Sequence, residues 1–196
     1  LDDWIIIYTS DHGDMLGDHG MWEKTKFYEG SVRVPLIVRW PKHFPGGRVV
    51  NENVNLCDLF ATLCDLSGLP VPDGLDSRSL VPLMRGDADG WENESISQFN
   101  RDHVMIKRDD LKYQYYGEEA PEVLFDLACD PNETRSMADD SDYADAMSRF
   151  RARLAQLGHG PNADPNYVNA GYGTSLTAPT SSPYKTASAH PSECRS

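Results

Sequence analysis

The stretch Trp4-Ile5-Ile6-Ile7-Tyr8-Thr9-Ser10-Asp11-His12-Gly13-Asp14 decides how the rest of the chain is read. An apolar, β-branched and aromatic run stops abruptly at a polar segment bounded by Gly and Asp. That pattern predicts a strand buried on both faces. Such strands belong to mostly parallel sheets, whose ligands gather beyond the carboxyl ends of the strands. Asp11 and His12 fall there. An acid and an imidazole side by side are placed to hold a cation, and Gly13 lets the backbone turn away behind them. The same Asp-His-Gly run is also acceptable turn chemistry.

Working outward, the chain has 196 residues, enough for one domain or one and a half. It enters the first strand within three residues of Leu1, so the upstream part of the domain is expected to be absent. Net charge is -13, from 31 acidic and 18 basic residues. No dense Lys/Arg run occurs, which argues against a nucleic-acid partner. No apolar run approaches the roughly 20 residues that span a bilayer, so no membrane partner is expected. Cys57, Cys64, Cys129 and Cys194 lack metal-like spacing and read as ordinary buried thiols rather than a disulfide scaffold. This leans toward a reducing, cytoplasmic compartment. A homo-oligomer stays open.

Downstream, Gly17-Asp18-His19-Gly20 and Met21 to Glu29 predict an ordered loop leading into a short helix, interrupted by Gly30-Ser31. Leu36 to Trp40 reads as a second strand ending at Pro41. Val54, Leu56, Leu59, Phe60, Leu63 and Leu66 repeat at helical period, so Asn53 to Ser67 is expected to be a helix covering one sheet face. Gly68 is its stop. Val71 to Arg78 reads as loop and Leu80 to Arg85 as a helical turn.

From about Ser95 the pattern changes. Ser95–Phe99, His103–Arg108, Leu111–Tyr116 and Glu122–Leu127 read as short strands, with Asp109-Asp110 as a tight hairpin turn. Tyr143, Met147, Phe150, Leu154 and Leu157 then predict an amphipathic helix ending at Gly158. The expected class is α/β: 1–90 from a parallel-sheet domain, 91–158 a small antiparallel sheet plus helix, and 159–196 a low-complexity, weakly ordered tail.

The runs Thr9 to Gly20, Trp22-x-Lys24, and Phe27-Tyr28-Glu29-Gly30-Ser31-x-Arg33-Val34-Pro35-Leu36 resemble the sulfatase family of the alkaline phosphatase-like superfamily. The Asp-His variant is similar to its choline sulfatase-like and phosphonate monoester hydrolase-like members. Weaker likenesses lie at Asp58-Leu59-Phe60-Ala61-Thr62-Leu63 through Gly68-Leu69-Pro70, and at Leu124-Phe125-Asp126-Leu127 with Asp130-Pro131-x-Glu133. The resemblance implies an alkaline phosphatase-like sheet domain and hydrolysis of a small-molecule sulfate ester. It implies one divalent cation, Ca or Mn, held by Asp11 and His12, and the imidazole tips the choice toward a transition ion. It gives Lys24, thirteen residues after Asp11, the sulfate contact; Lys26 is the alternative.

The family nucleophile is a formylglycine made in Cys/Ser-x-Pro-x-Arg, and it is expected upstream. Cys129-Asp130-Pro131-Asn132-Glu133 has Glu in place of Arg and reads as coincidence. These 196 residues alone are therefore expected to be inactive. A phosphonate monoester hydrolase or phosphodiesterase on the same scaffold, and a non-catalytic metal-binding fragment, are the alternatives. His19 and Asp18 either border the substrate pocket or order the Gly-rich loop, and the loop role is the plainer one. Glu29 and Arg33, four apart, read as a structural ion pair. Trp22, Phe27 and Tyr28 read as core aromatics, and His103 as a packing or surface residue.

Overall fold

The apolar run does form a strand, β1 (Ile6–Thr9), but its neighbour is not parallel. The computed structural model describes residues 1–100 and 102–161; the expected tail 159–196 lies almost wholly outside them. Within these residues β1 pairs antiparallel with β2 (Leu36–Arg39), in the register Ile6 to Arg39 and Thr9 to Leu36. The expected burial on both faces is also corrected. Trp4, Ile6, Tyr8 and Ile37 are exposed, because successive side chains point to opposite faces of the ribbon and the described residues leave one face largely uncovered.

The chain divides into two units after Ser95. In the first, α1 (Glu29–Val32) runs through Gly30-Ser31, the pair expected to interrupt it. Its first turn forms because the Tyr28 carbonyl accepts from the N–H groups of Ser31 and Val32. The expected helix of 53–67 is shorter, α2 (Asp58–Leu66), followed by α3 (Val81–Arg85).

The buried face of α2 is not the apolar stripe. Asp58, Ala61 and Thr62 point inward, whereas Phe60 and Leu63 are exposed. The reason is a polar seam to residues 77–80. Asp58 Oδ1 accepts from the Arg78 N–H (2.8 Å), and Thr62 Oγ1 accepts from the Leu80 N–H (2.9 Å). Ser77 Oγ donates to the Cys57 carbonyl, and Ser79 Oγ to Asp65. Burying backbone N–H groups requires acceptors, and this face supplies them. Arg78 then donates to the carbonyls of Glu92 and Glu94 while its guanidinium covers the Trp91 ring at 3.9 Å. Cys57 and Cys64 are free, and Cys57 is exposed rather than buried because it shares the outward side.

The second sheet runs in chain order: β3 (Glu94–Phe99), β4 (His103–Arg108), β5 (Leu111–Tyr116) and β6 (Val123–Asp126). Arg108 pairs with Leu111 across Asp109-Asp110, where Asp109 adopts φ +52°. Asp is among the few side chains that accept this conformation in a two-residue turn. Helix α4 (Ala144–Gln156) places Met147, Phe150 and Leu154, spaced by three and four, against Val104, Ile106, Tyr113 and Leu124. Tyr113 and Phe150 stack at 5.4 Å. Glu122 receives hydrogen bonds from Tyr113 and from Arg151 of α4.

Candidate active-site loops

Asp11 and His12 come together directly beyond β1. Oδ2 of Asp11 lies 3.5 Å from Nε2 of His12. Oδ1 accepts from the His12 N–H (3.0 Å) and from Ser10 Oγ, whose hydroxyl also reaches the His12 carbonyl. That N–H, donated to the carboxylate form, holds the Asp11 carboxyl below the usual carboxylate range. Nδ1 of His12 meets the Gly13 carbonyl at 2.7 Å. An Nδ1–H donated there fixes the tautomer and leaves the Nε2 lone pair on the side of Asp11 Oδ2.

What positions this pair is a close approach of backbones. The Gly13 N–H donates to the Ser31 carbonyl (2.8 Å), and a Cβ on Gly13 would stand 2.0 Å from the Gly30 carbonyl oxygen. Gly30 in turn faces Met15, which is buried. Only glycine permits the contact, so the donor loop sits on α1 with no side chain between them.

The donors suit a divalent cation as far as they go. A carboxylate and an imidazole whose donor atoms are 3.5 Å apart can both reach one ion at bonds of about 2.0–2.6 Å. Asp11 is well exposed (85% of its side chain) and His12 partly so (40%), which leaves both open to further ligands. Among the described residues no group of three His, Cys, Asp or Glu side chains could share an ion. The described residues thus offer two such donors here, Asp11 and His12.

Lys24 is exposed and forms no hydrogen bond or ion pair with Asp11 or His12. Its loop is tied back to theirs by the main chain: Met15 N–H to Glu23 carbonyl (3.4 Å) and Gly17 N–H to Met21 carbonyl (2.7 Å). His19, at φ +51°, stacks on Tyr28 at 3.9 Å between ring centres. That contact orders the Gly-rich loop. Asp18 opens the short 3₁₀ turn Asp18–Gly20. Phe27 and Tyr28 are buried as expected, but Trp22 is exposed. The Gly17–Met21 bond turns the chain at Trp22 without enclosing it. Glu29 and Arg33 approach at 3.9 Å. His103 faces Tyr116 edge-on and lies 3.7 Å from Asp102.

Two polar features escaped the sequence reading. The α2 seam had a signal in Asp58, Thr62 and Asp65, polar residues at helical spacing, facing Ser77-Arg78-Ser79. The buried pair Lys112–Glu133 had one in Asp130-Pro131-x-Glu133: Asp130 Oδ2 caps the N–H groups of Thr134 and Arg135, turning Glu133 inward at φ +54°.

Comparison with known proteins identifies the family. Residues 17–160 match the family described as N-sulphoglucosamine sulphohydrolase, C-terminal. Choline-sulfatase of Rhizobium meliloti is 38% identical over 146 residues, 71% of this chain and 28% of that protein. An arylsulfatase of Clostridium perfringens is 30% identical over 79% of this chain and 33% of its own length. Among solved structures, phosphonate monoester hydrolase of Agrobacterium radiobacter is 36% identical, with a TM-score of 0.70 over 80% of this chain and 35% of that one. The architecture is that of the alkaline phosphatase-like hydrolases. The chain belongs to the sulfatase family, as a match to its C-terminal part. It spans about a third of the length of the curated relatives it matches.

Proposed function

We propose that this chain contributes to a metal-dependent sulfuric ester hydrolase, with Asp11 and His12 holding one divalent cation, Ca or Mn, and Lys24 meeting the sulfate. The observation that carries the reading is the 3.5 Å approach of Asp11 Oδ2 and His12 Nε2, with the remaining ring nitrogen already bonded to Gly13. A cation bound there polarises sulfuryl oxygens and lowers the pKa of a coordinated nucleophile. Asp11 supplies an ionised carboxylate to it, and His12 a fixed tautomer. Lys24, exposed on a loop bonded back to the same segment, offers an ammonium to the anionic ester; such a hydrogen bond is worth about 1.5–3 kcal/mol. The substrate is a small-molecule sulfate ester. No Cys/Ser-x-Pro-x-Arg occurs in the 196 residues, so the formylglycine nucleophile must come from outside them and the chain alone is inactive.

Mn²⁺ and Ca²⁺ titration of the chain tests the site. Weak saturable binding is expected, lost in Asp11→Asn and His12→Ala; equal binding by both variants overturns it. The similarity to a phosphonate monoester hydrolase at TM-score 0.70 supports a second reading, phosphonate ester hydrolysis. Relative rates of the full-length protein on p-nitrophenyl sulfate and a phenyl phosphonate ester decide between the two.

A further inference from the structure

Thr25 stands at φ +89°, between the two lysines of the active-site loop. A β-branched side chain in that region is a true outlier, and such strain persists only where the surroundings over-determine it. Here they do. Upstream, the Glu23 carbonyl is bonded to Met15; downstream, Phe27 and Tyr28 are buried, and Tyr28 both carries the His19 ring and opens α1. Residues 24–26 are strung between these anchors.

The consequence falls on the lysines. In an extended chain, residues two apart share a face, so Lys24 and Lys26 would point the same way. A left-handed residue between them breaks that alternation. Lys24 is exposed and makes no hydrogen bond or ion pair among the described residues, while Lys26 is half-buried and engaged. We infer that Thr25 is a positioning residue: its left-handed backbone presents the Lys24 ammonium to the sulfate and turns Lys26 away. The inference rests on the reading of Lys24 given above.

Amine acetylation of the 196-residue chain, followed by mass spectrometry, tests it. Lys24 is expected to react about fivefold faster than Lys26, as befits a solvated against a half-buried ammonium. Thr25→Asn, which tolerates positive φ, keeps that ratio; Thr25→Pro, whose ring holds φ near about -65°, brings it toward one. In the full-length protein Thr25→Pro lowers kcat on p-nitrophenyl sulfate about tenfold, and Thr25→Asn restores it. Equal labelling in the wild-type chain, a comparison that needs no variant to fold, overturns the inference. So does an unchanged ratio in a folded Thr25→Pro chain. Lys24→Ala tests the underlying reading separately: if that variant keeps full turnover, the sulfate contact fails whatever the labelling ratio.

Discussion

The ammonium of Lys112 lies 2.7 Å from the carboxylate of Glu133, and neither side chain reaches solvent. Lys112 occupies the middle of the second sheet, opposite Lys107 on β4 and Phe125 on β6, where a lone buried cation would be severely penalised. Glu133 reaches it only because Asp130 organises the preceding turn.

Breaking this pair leaves an uncompensated buried charge, so Glu133→Gln is expected to cost about 3–5 kcal/mol. Replacing both partners, as Lys112→Met with Glu133→Leu, should recover most of that loss. Urea unfolding at unchanged m-value is the measurement. A Glu133→Gln variant within about 0.5 kcal/mol of wild type would contradict the burial argument.

Gly13→Ala should act at two levels. The new methyl would overlap the Gly30 carbonyl oxygen, so the donor loop must lift from α1. A loss of about 1–3 kcal/mol is expected, together with weaker Mn²⁺ binding. Calorimetry and metal titration on the same sample read both, and intact affinity in the alanine variant counts against the coupling.

Thr62→Val removes an acceptor and keeps the shape of the side chain. The Leu80 N–H then stays buried without its oxygen partner, at a cost of about 1–3 kcal/mol. Phe60→Ser on the exposed side of the same helix should cost less than about 0.5 kcal/mol in this chain. If their order is reversed in chemical denaturation, the polar seam is not what holds α2.

Acid sensitivity is expected from Glu122. Burial raises its pKa, but the hydrogen bonds from Arg151 and Tyr113 and the guanidinium charge outweigh burial and hold it below the ordinary value of 4.5. The folded state therefore binds fewer protons than the unfolded one as pH approaches that value. The stabilisation is present above the unfolded pKa and is lost as pH falls through the folded one. Glu122→Gln should flatten this part of a stability–pH curve recorded from pH 6 downward. An unaltered slope would show that the Arg151 contact contributes nothing.

How far these features could be read from residues alone follows from what each depends on. The ends of β4 and β5 match the sequence expectation because alternation and the Asp109-Asp110 turn are local signals. The pairing direction of β1 was not legible: a strand's own residues do not name its neighbour. The face of α2 was misjudged because Leu56, Phe60 and Leu63 weigh more on a hydropathy pattern than Asp58 and Thr62 do. Hydrogen-bond demand from Arg78 and Leu80, about 20 residues on, decides the matter instead. At the candidate site, adjacency alone brought Asp11 and His12 together. The partition between Lys24 and Lys26 needed the backbone at Thr25, which no residue preference announces.

The ordering of the second sheet bears on how the chain assembles. β3 to β6 form a meander in which every strand lies beside its predecessor, and the longest link between them, Gly117 to Glu122, is short. Loop closure there is inexpensive, so this unit can zip up by successive hairpins. β1 and β2 meet only after the whole span from Ser10 to Pro35 has been drawn closed. The segment bearing Asp11, His12 and Lys24 is therefore expected to gain protection later than β3 to β6 in pulse-labelled hydrogen exchange during refolding.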